Sequence, residues 1–298
     1  MPMPDFSERD SAVVVNTYTT VRRRETLAHD SFAAYWRDVH GPLCSRIDGL
    51  GWYVQHHFSR DHDDHLWPVL DGVGPVPGYV LDGAVEIGFL SSAEQERFGS
   101  ASSLLFDDEQ NVFAETVAYD LPDGSATHLD RQPDGTANGA DPFDRLHVHL
   151  GRRAGAGDAF DAMLASVVEA AVHEDGVVKV RLHEPTPYDN ERPSPPAPQV
   201  AHTVPAARTD LAVLELAFAD PLARRRFFAS DAFAATTEAQ RETAASITAF
   251  AVTGVFTFVR DACLTTAGLR GSRVAELIDD LAALNQTAPE VTELFTRS

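Results

Sequence analysis

The feature that most constrains this chain is a repeat. Asp30 and Asp158, each ahead of an amphipathic helical stretch, stand 128 residues apart, and Glu86 and Glu215, each inside an alternating strand, stand 129 apart. A near-constant offset of this kind is what an internal duplication leaves behind. The first half predicts strands over 12–18, 52–58, 83–90 and 112–119, with helices capped by Asp30 and starting at Ser92. That order, β-α-β-β-α-β, is the ferredoxin-like unit. The second half predicts strands over 146–150, 177–183, 210–218 and 254–259, with helices opening at Asp158, Pro221 and Thr236. The expected fold is therefore α+β: a ferredoxin-like unit over 11–122, a turn-rich linker over 123–142, a second and diverged unit over 143–262, and a tail over 263–298 with a helix at 272–285. Residues 1–10 read as a disordered lead-in.

Helices cover one face of each sheet, so the other face needs cover. Two such sheets bury their free faces against each other, which predicts a barrel with a central cavity, formed within one chain as a pseudo-dimer that can also pair as a homodimer. Period-2 alternation then assigns side chains to that cavity. In the first strand Asn16 and Tyr18 point inward, opposite Val13 and Val15. In the second, Val54 and Phe58 are assigned to the helices, which sends Tyr53, Gln55 and His57 inward and leaves His56 at the core edge. In the third, Glu86 points inward between Val85 and Ile87. The second half sends His147, His149, Lys179, Arg181, His183 and Glu215 inward. Unpaired polar groups on a buried face are costly, so this many on one face point to a solvated or functional interior.

Composition narrows the function classes. The net charge of -21, with Lys179 as the single lysine, repels phosphate backbones and argues against nucleic acid. The start of the chain has no basic and apolar signal pattern and no apolar run reaches ~18 residues, so a cytoplasmic protein without a membrane span is expected. Cys44 and Cys263 form no disulfide framework; Cys44 reads as a small buried residue, with a reactive thiol as the other possibility. No dinucleotide, phosphate-loop or nucleophile-elbow motif is present.

The stretch carrying Tyr35-Trp36, His40-Gly41-Pro42-Leu43, Ile47, Gly49-Leu50 and Tyr53 through His57 resembles the EthD family of the dimeric α/β-barrel superfamily. The motif covers about the first third of the chain, and the second half lacks the HGPL segment. The resemblance implies a small-molecule pocket between a helix end and the sheet. It also implies His40, Tyr53, His56 and His57 as the functional set. Relatives in that superfamily include polyketide cyclases, lactone isomerases, dehydratases, monooxygenases and haem-binding enzymes, many without a cofactor.

On these grounds the expected activity is a cofactor-independent lyase, cyclase or isomerase acting on a small, hydrophobic, oxygenated metabolite. His57 is expected as the base, His40 as acid or orienter at the negative end of its helix, and Tyr53 with Gln55 as oxyanion donors, with His56 alongside. Asn16, Tyr18, Trp36, Glu86, His147, His149, Arg181 and His183 are expected to line the substrate site. The alternative is an accessory protein that binds haem or a metabolite without converting it. The expected cofactor is none, with haem or a divalent metal as the alternative, since His147 and His149 have chelating spacing. The loop DHDDH at 61–65 reads as a solvated acidic loop rather than a metal site. The proline-rich stretch 185–198 reads as a lid or an extended connection.

Overall fold

The structure is a computed structural model and describes residues 4–60, 66–192 and 197–296. The DHDDH loop and part of the proline-rich stretch lie outside these residues. The first unit runs β1 (Val15–Arg23), α1 (His29–Tyr35), a π-helical turn (Trp36–His40), α2 (Gly41–Ser45), β2 (Trp52–Phe58), β3 (Gly83–Phe89), α3 (Ser92–Ala101), α4 (Ser103–Val112) and β4 (Phe113–Leu121). Two short strands follow, β5 (Ala126–Asp130) and β6 (Asn138–Ala140). The second unit runs β7 (Asp144–Arg152), α5 (Gly157–Val172), β8 (Val177–His183), β9 (Leu211–Phe218), α6 (Pro221–Phe228), α7 (Asp231–Ala234), α8 (Thr237–Thr243) and β10 (Ala244–Arg260). The tail holds β11 (Cys263–Leu264), α9 (Thr266–Arg270), α10 (Ser272–Asp280) and α11 (Pro289–Thr296).

Each half has the same antiparallel strand order, β4-β1-β3-β2 in the first and β10-β7-β9-β8 in the second. The two sheets are joined through β10. Its first half pairs with β7 over Ala244–Ala251, and its second half pairs with β2 over Val252–Val259. This strand is 17 residues long, whereas alternation in the sequence marks only 254–259. The early part, AASITAFA, is rich in small residues, which blurs the apolar period. The segment expected to be a plain linker contains β5, bonded to the edge of β8, and β6, bonded to β10. The lead-in is ordered at its end as well: Asp10 is buried between Arg181 and Arg260.

The helix-side cores form where periodicity places them. Phe160, Met163, Leu164, Val167 and Val168 of α5 are buried and share a cluster with Leu146, Val148, Leu150, Val180, Leu182, Leu214 and Leu216. Each such side chain contributes roughly 1.5–3 kcal/mol when fully buried. Asp30 and Asp158 lie in the first turns of α1 and α5 and not at the caps, so they act through the helix dipole.

One local feature overrides a sequence signal. Gly41 and Pro42, a pair that commonly ends a helix, do not end the first one, so His40 lies inside a continuous helical run and not at its negative end as expected. The π turn passes His40 into α2 with Pro42 in its first turn, where a missing N–H is tolerated. Gly41 is needed for contact, because a Cβ there would sit 2.5 Å from Phe258 Cζ. Gly83 on β3 plays the matching role beneath the helix: its Cβ would lie 2.5 Å from both Trp36 Cζ3 and the His56 carbonyl. Gly83→Ala is therefore expected to destabilise the chain by ~1–3 kcal/mol through overpacking. Urea denaturation checks this, and an unchanged midpoint would contradict the packing described.

Candidate functional site

The pairing register settles which side chains face which side. Tyr18 and Val54 both pair with Glu86, and Arg181 and His147 both pair with Glu215. These residues therefore share the inter-sheet face, as do Asn16, His149 and His183. On β2 the expectation is inverted. Tyr53, Gln55 and His57 pair with Ile87, Val85 and Gly83, and so lie on the helix side. Val54, His56 and Phe58 face the other sheet. The reason is that β2 is buried throughout on both faces, so its apolar residues do not mark the helix side. On β8 an irregularity between Val177 and Lys179 puts Val177, and not Val178 as strict alternation would have it, in the helix-side core.

The polar inward faces do not line an open chamber; they meet. A cavity of about 250 Å³ lies on the helix side of the first unit. Its floor is Thr17, Thr19, Val85 and Ile87, its walls are Trp36, His40, Cys44 and Tyr53 on one side and Leu105, Phe106 and Glu109 on the other. His202 reaches it from the β8–β9 connection, which runs along β4 through an Ala201–Glu115 bridge. The second half of the chain thus completes a site in the first.

Hydrogen bonds fix the polar groups of this cavity. His40 Nδ1 donates to Asp108 Oδ2 at 2.8 Å, since a carboxylate can only accept, and this leaves Nε2 as the reactive nitrogen. Tyr35 Oη and Asn111 Nδ2 donate to the other Asp108 oxygen at 2.5 and 3.1 Å. Burial pushes the Asp108 carboxyl up, but the bonds from His40 and Tyr35 hold it below the usual range. Glu109 beside it behaves oppositely: burial raises its carboxyl, with His40 and a 3.1 Å bond from Thr116 Oγ1 opposing. His202 Nδ1 donates to the Thr116 carbonyl at 3.0 Å, and its Nε2 is buried without a partner.

Tyr53 is held by a relay. His57 Nε2 donates to Gln55 Oε1 at 3.1 Å, and Gln55 Nε2 donates to Tyr53 Oη at 2.8 Å and to the Trp36 carbonyl at 3.1 Å. His57 stacks on Trp36 with ring centres 4.3 Å apart, and does not line the cavity. Burial, with the Arg37 charge adding, holds its imidazole well below its ordinary value, so it stays neutral. Burial likewise keeps the Tyr53 hydroxyl protonated and pushes the Cys44 thiol up, which leaves Cys44 an unreactive wall.

Between the sheets stands a second polar cluster. Arg181 donates twice to Glu86 Oε2, at 3.0 and 2.9 Å, and Asn16 Nδ2 bonds the same oxygen at 3.2 Å. Arg145 bonds Glu215 Oε1 and Asp141. Tyr18 Oη lies 2.8 Å from His147 Nδ1 and 3.1 Å from His149 Nε2, and Tyr79 Oη lies 2.9 Å from His149 Nδ1. Both nitrogens of His149 are thus engaged, and the His147–His149 chelate does not form.

No protein-family model matches the chain, and no curated protein matches it in sequence. Its fold is that of known structures. An anthrone oxidase-like protein aligns over 85% of this chain and 96% of its own, with a TM-score of 0.51 at 8% identity. A proposed monooxygenase from Fusobacterium nucleatum covers 82% and 93% with a TM-score of 0.49 at 9% identity. Chlorite dismutase from Candidatus Nitrospira defluvii covers 81% and 91% with a TM-score of 0.39 at 11% identity. The chain has the ferredoxin-like, dimeric α/β-barrel architecture, with both units in one polypeptide. Among the described residues no helix is long and apolar enough to cross a membrane.

Of the expected site residues, the cavity gathers Trp36, His40 and Tyr53, with Gln55 and His57 behind them. It does not include His56, which joins Asn16, Tyr18, Glu86, His147, His149, Arg181 and His183 between the sheets. Asp108, Glu109 and His202 were not marked by the sequence. The raised Glu109 carboxyl binds its proton more tightly folded than unfolded, so it costs stability as pH rises past the ordinary glutamate value of 4.5. Glu109→Gln is expected to be more stable than the parent at pH 7 and closer to it at pH 4. Urea midpoints at the two pH values check this; a variant less stable at pH 7 would contradict the assignment.

Proposed function

We propose that this chain is a cofactor-independent enzyme of EthD-like type that carries out proton transfer on a small, hydrophobic, oxygenated metabolite, as a lyase, cyclase or isomerase. The observation that carries the reading is a carboxylate–imidazole dyad, buried His40 held by half-buried Asp108, with His40 opening on an apolar cavity. Asp108 fixes the tautomer and orientation of His40, so that Nε2 can remove a proton from carbon next to a carbonyl. The Tyr53 hydroxyl, kept protonated and aimed by Gln55, would donate to the oxygen that gains charge. Glu109, held partly toward its neutral form, and His202 are placed to return the proton at another atom of the substrate. His57 is a positioning residue, acting through Gln55.

His40→Gln is expected to lower kcat by about 10²-fold or more. Tyr53→Phe is expected to lower it by roughly 10²-fold. His57→Phe should cost less than either. The assay is incorporation of solvent deuterium into lactones and 1,3-dicarbonyl compounds, followed by mass spectrometry with oxygen uptake recorded in parallel. Turnover unchanged in both His40→Gln and Tyr53→Phe would overturn the proposal. Oxygen consumption matching product formation would replace isomerisation or cyclisation with oxygenation after the same proton abstraction.

A further inference from the structure

The inter-sheet cluster holds an unusual set of unsatisfied atoms. His56 Nδ1 and Nε2, His147 Nε2, His183 Nε2, Glu86 Oε1 and Glu215 Oε2 are all buried without a hydrogen-bond partner. They converge. One ligand atom each from His56, His147 and Glu215 lie within 4.8 Å of one another, as do those of Glu86, His183 and Glu215. Glu86 Oε1 lies 3.8 Å from His56 Nε2 and 3.7 Å from His183 Nε2, too far for hydrogen bonds. Two ligands of one ion at ~2.1 Å each lie at most about 4.2 Å apart; the 3.7 and 3.8 Å separations fall inside that limit, and the 4.8 Å spread of each set closes to it with a small shift of side chains.

Except at His56, the opposite edges of these side chains are tied down. His147 Nδ1 bonds Tyr18 Oη and His183 Nδ1 bonds Ser125 Oγ at 2.8 Å, Glu86 Oε2 accepts from Arg181 and Asn16, and Glu215 Oε1 accepts from Arg145. Outer partners of this kind orient imidazole and carboxylate ligands around metals. With the proton of His147 on Nδ1, donation runs in one direction, from His147 to Tyr18, from Tyr18 to His149 Nε2, and from His149 Nδ1 to Tyr79. Burial holds His147 well below its ordinary value and His183 at about 4, while Lys179 and Arg145 offset the burial of Glu215 and Arg181 offsets that of Glu86, so both carboxylates stay ionised.

The duplication explains how the ligands meet. Glu86 and Glu215 occupy equivalent places, and His56 and His183 each stand two residues past the strand partner of those glutamates, Val54 and Arg181. Tyr18 and His147 are likewise equivalent, each opposite its glutamate. Two carboxylates and two imidazoles are thus related by the repeat, and a third imidazole breaks the symmetry.

We propose that His56, His147, His183, Glu86 and Glu215 bind one divalent transition-metal ion between the two sheets. A water molecule has two protons for five converging groups that mainly offer lone pairs, whereas a dication satisfies all of them. Lys179 Nζ, 3.5 Å from Glu215 Oε2, neutralises only that one corner. Three imidazoles with two carboxylates suit zinc, iron(II), manganese or cobalt, and fit calcium or magnesium poorly. A cavity of about 40 Å³ reaches the cluster at His56, with Arg145 and Lys179 also in its lining. The proposal is independent of the His40 cavity.

The test is metal content of the purified full chain, followed by chelator treatment and titration with Co²⁺. The expected result is a visible d–d band that saturates at one equivalent, and a melting temperature raised by Zn²⁺ or Co²⁺. His183→Gln and Glu215→Gln should lose the band, Tyr18→Phe should weaken binding about 10-fold or more, and His40→Gln should bind as the parent does. If a ligand variant does not fold, the parent titration still decides. No stoichiometric metal, no band and no shift in melting temperature would overturn the proposal and leave waters at the cluster. A band that survives in both His183→Gln and Glu215→Gln would overturn it too, by placing the ion elsewhere.

Discussion

The structure depends on burying two glutamates, Glu86 and Glu215, between two sheets. An ionised carboxylate moved out of water costs several kcal/mol even after relaxation, and one lost partner leaves that cost exposed. The interior answers with Arg181 against Glu86 and with Arg145 and Lys179 against Glu215. Arg181 in turn needs Asp10, which orders the start of the chain. Because each of these groups is fixed by strand register, a one-residue slip in any inner strand would strand a charge in the apolar face. The polar interior thus selects one alignment of the two halves. Room for a small molecule is left on the helix side.

That division has a structural cause in the tandem arrangement. β10 pairs with both units, and the long β8–β9 connection returns across β4 to place His202 beside Thr116. The cavity of the first unit therefore uses a residue from the second, and the central cluster takes groups from both. The halves differ: the HGPL helix and its dyad stand only in the first half, while three of the five residues of the inter-sheet cluster, His147, His183 and Glu215, stand in the second.

Much of this was legible in the sequence, and the failures have physical reasons. Five inner strands, β1, β3, β7, β8 and β9, show their faces because one side packs on helices and the other is polar. β2 misleads because both its faces are buried, so Val54 and Phe58 mark the sheet–sheet contact and His57 lies under Trp36. Asp108 and Glu109 look like the solvent face of an amphipathic helix, and only the approach of His40 and Thr116 from distant elements makes them a site. His202 sits in an irregular, proline-rich connection where no period exists to read. The glycine and proline at 41 and 42 are a fair stop signal, but the π turn and the close contact with Phe258 carry the helix through them.

On the proposed function, small molecules enter the helix–sheet cavity and not the space between the sheets. Histidine side-chain NMR during titration with a small oxygenated aromatic compound distinguishes the two. The His40 and His202 resonances are expected to shift together and saturably, while those of His147, His149 and His183 stay in place. Shifts confined to the inter-sheet histidines, with His40 and His202 unmoved, would contradict it.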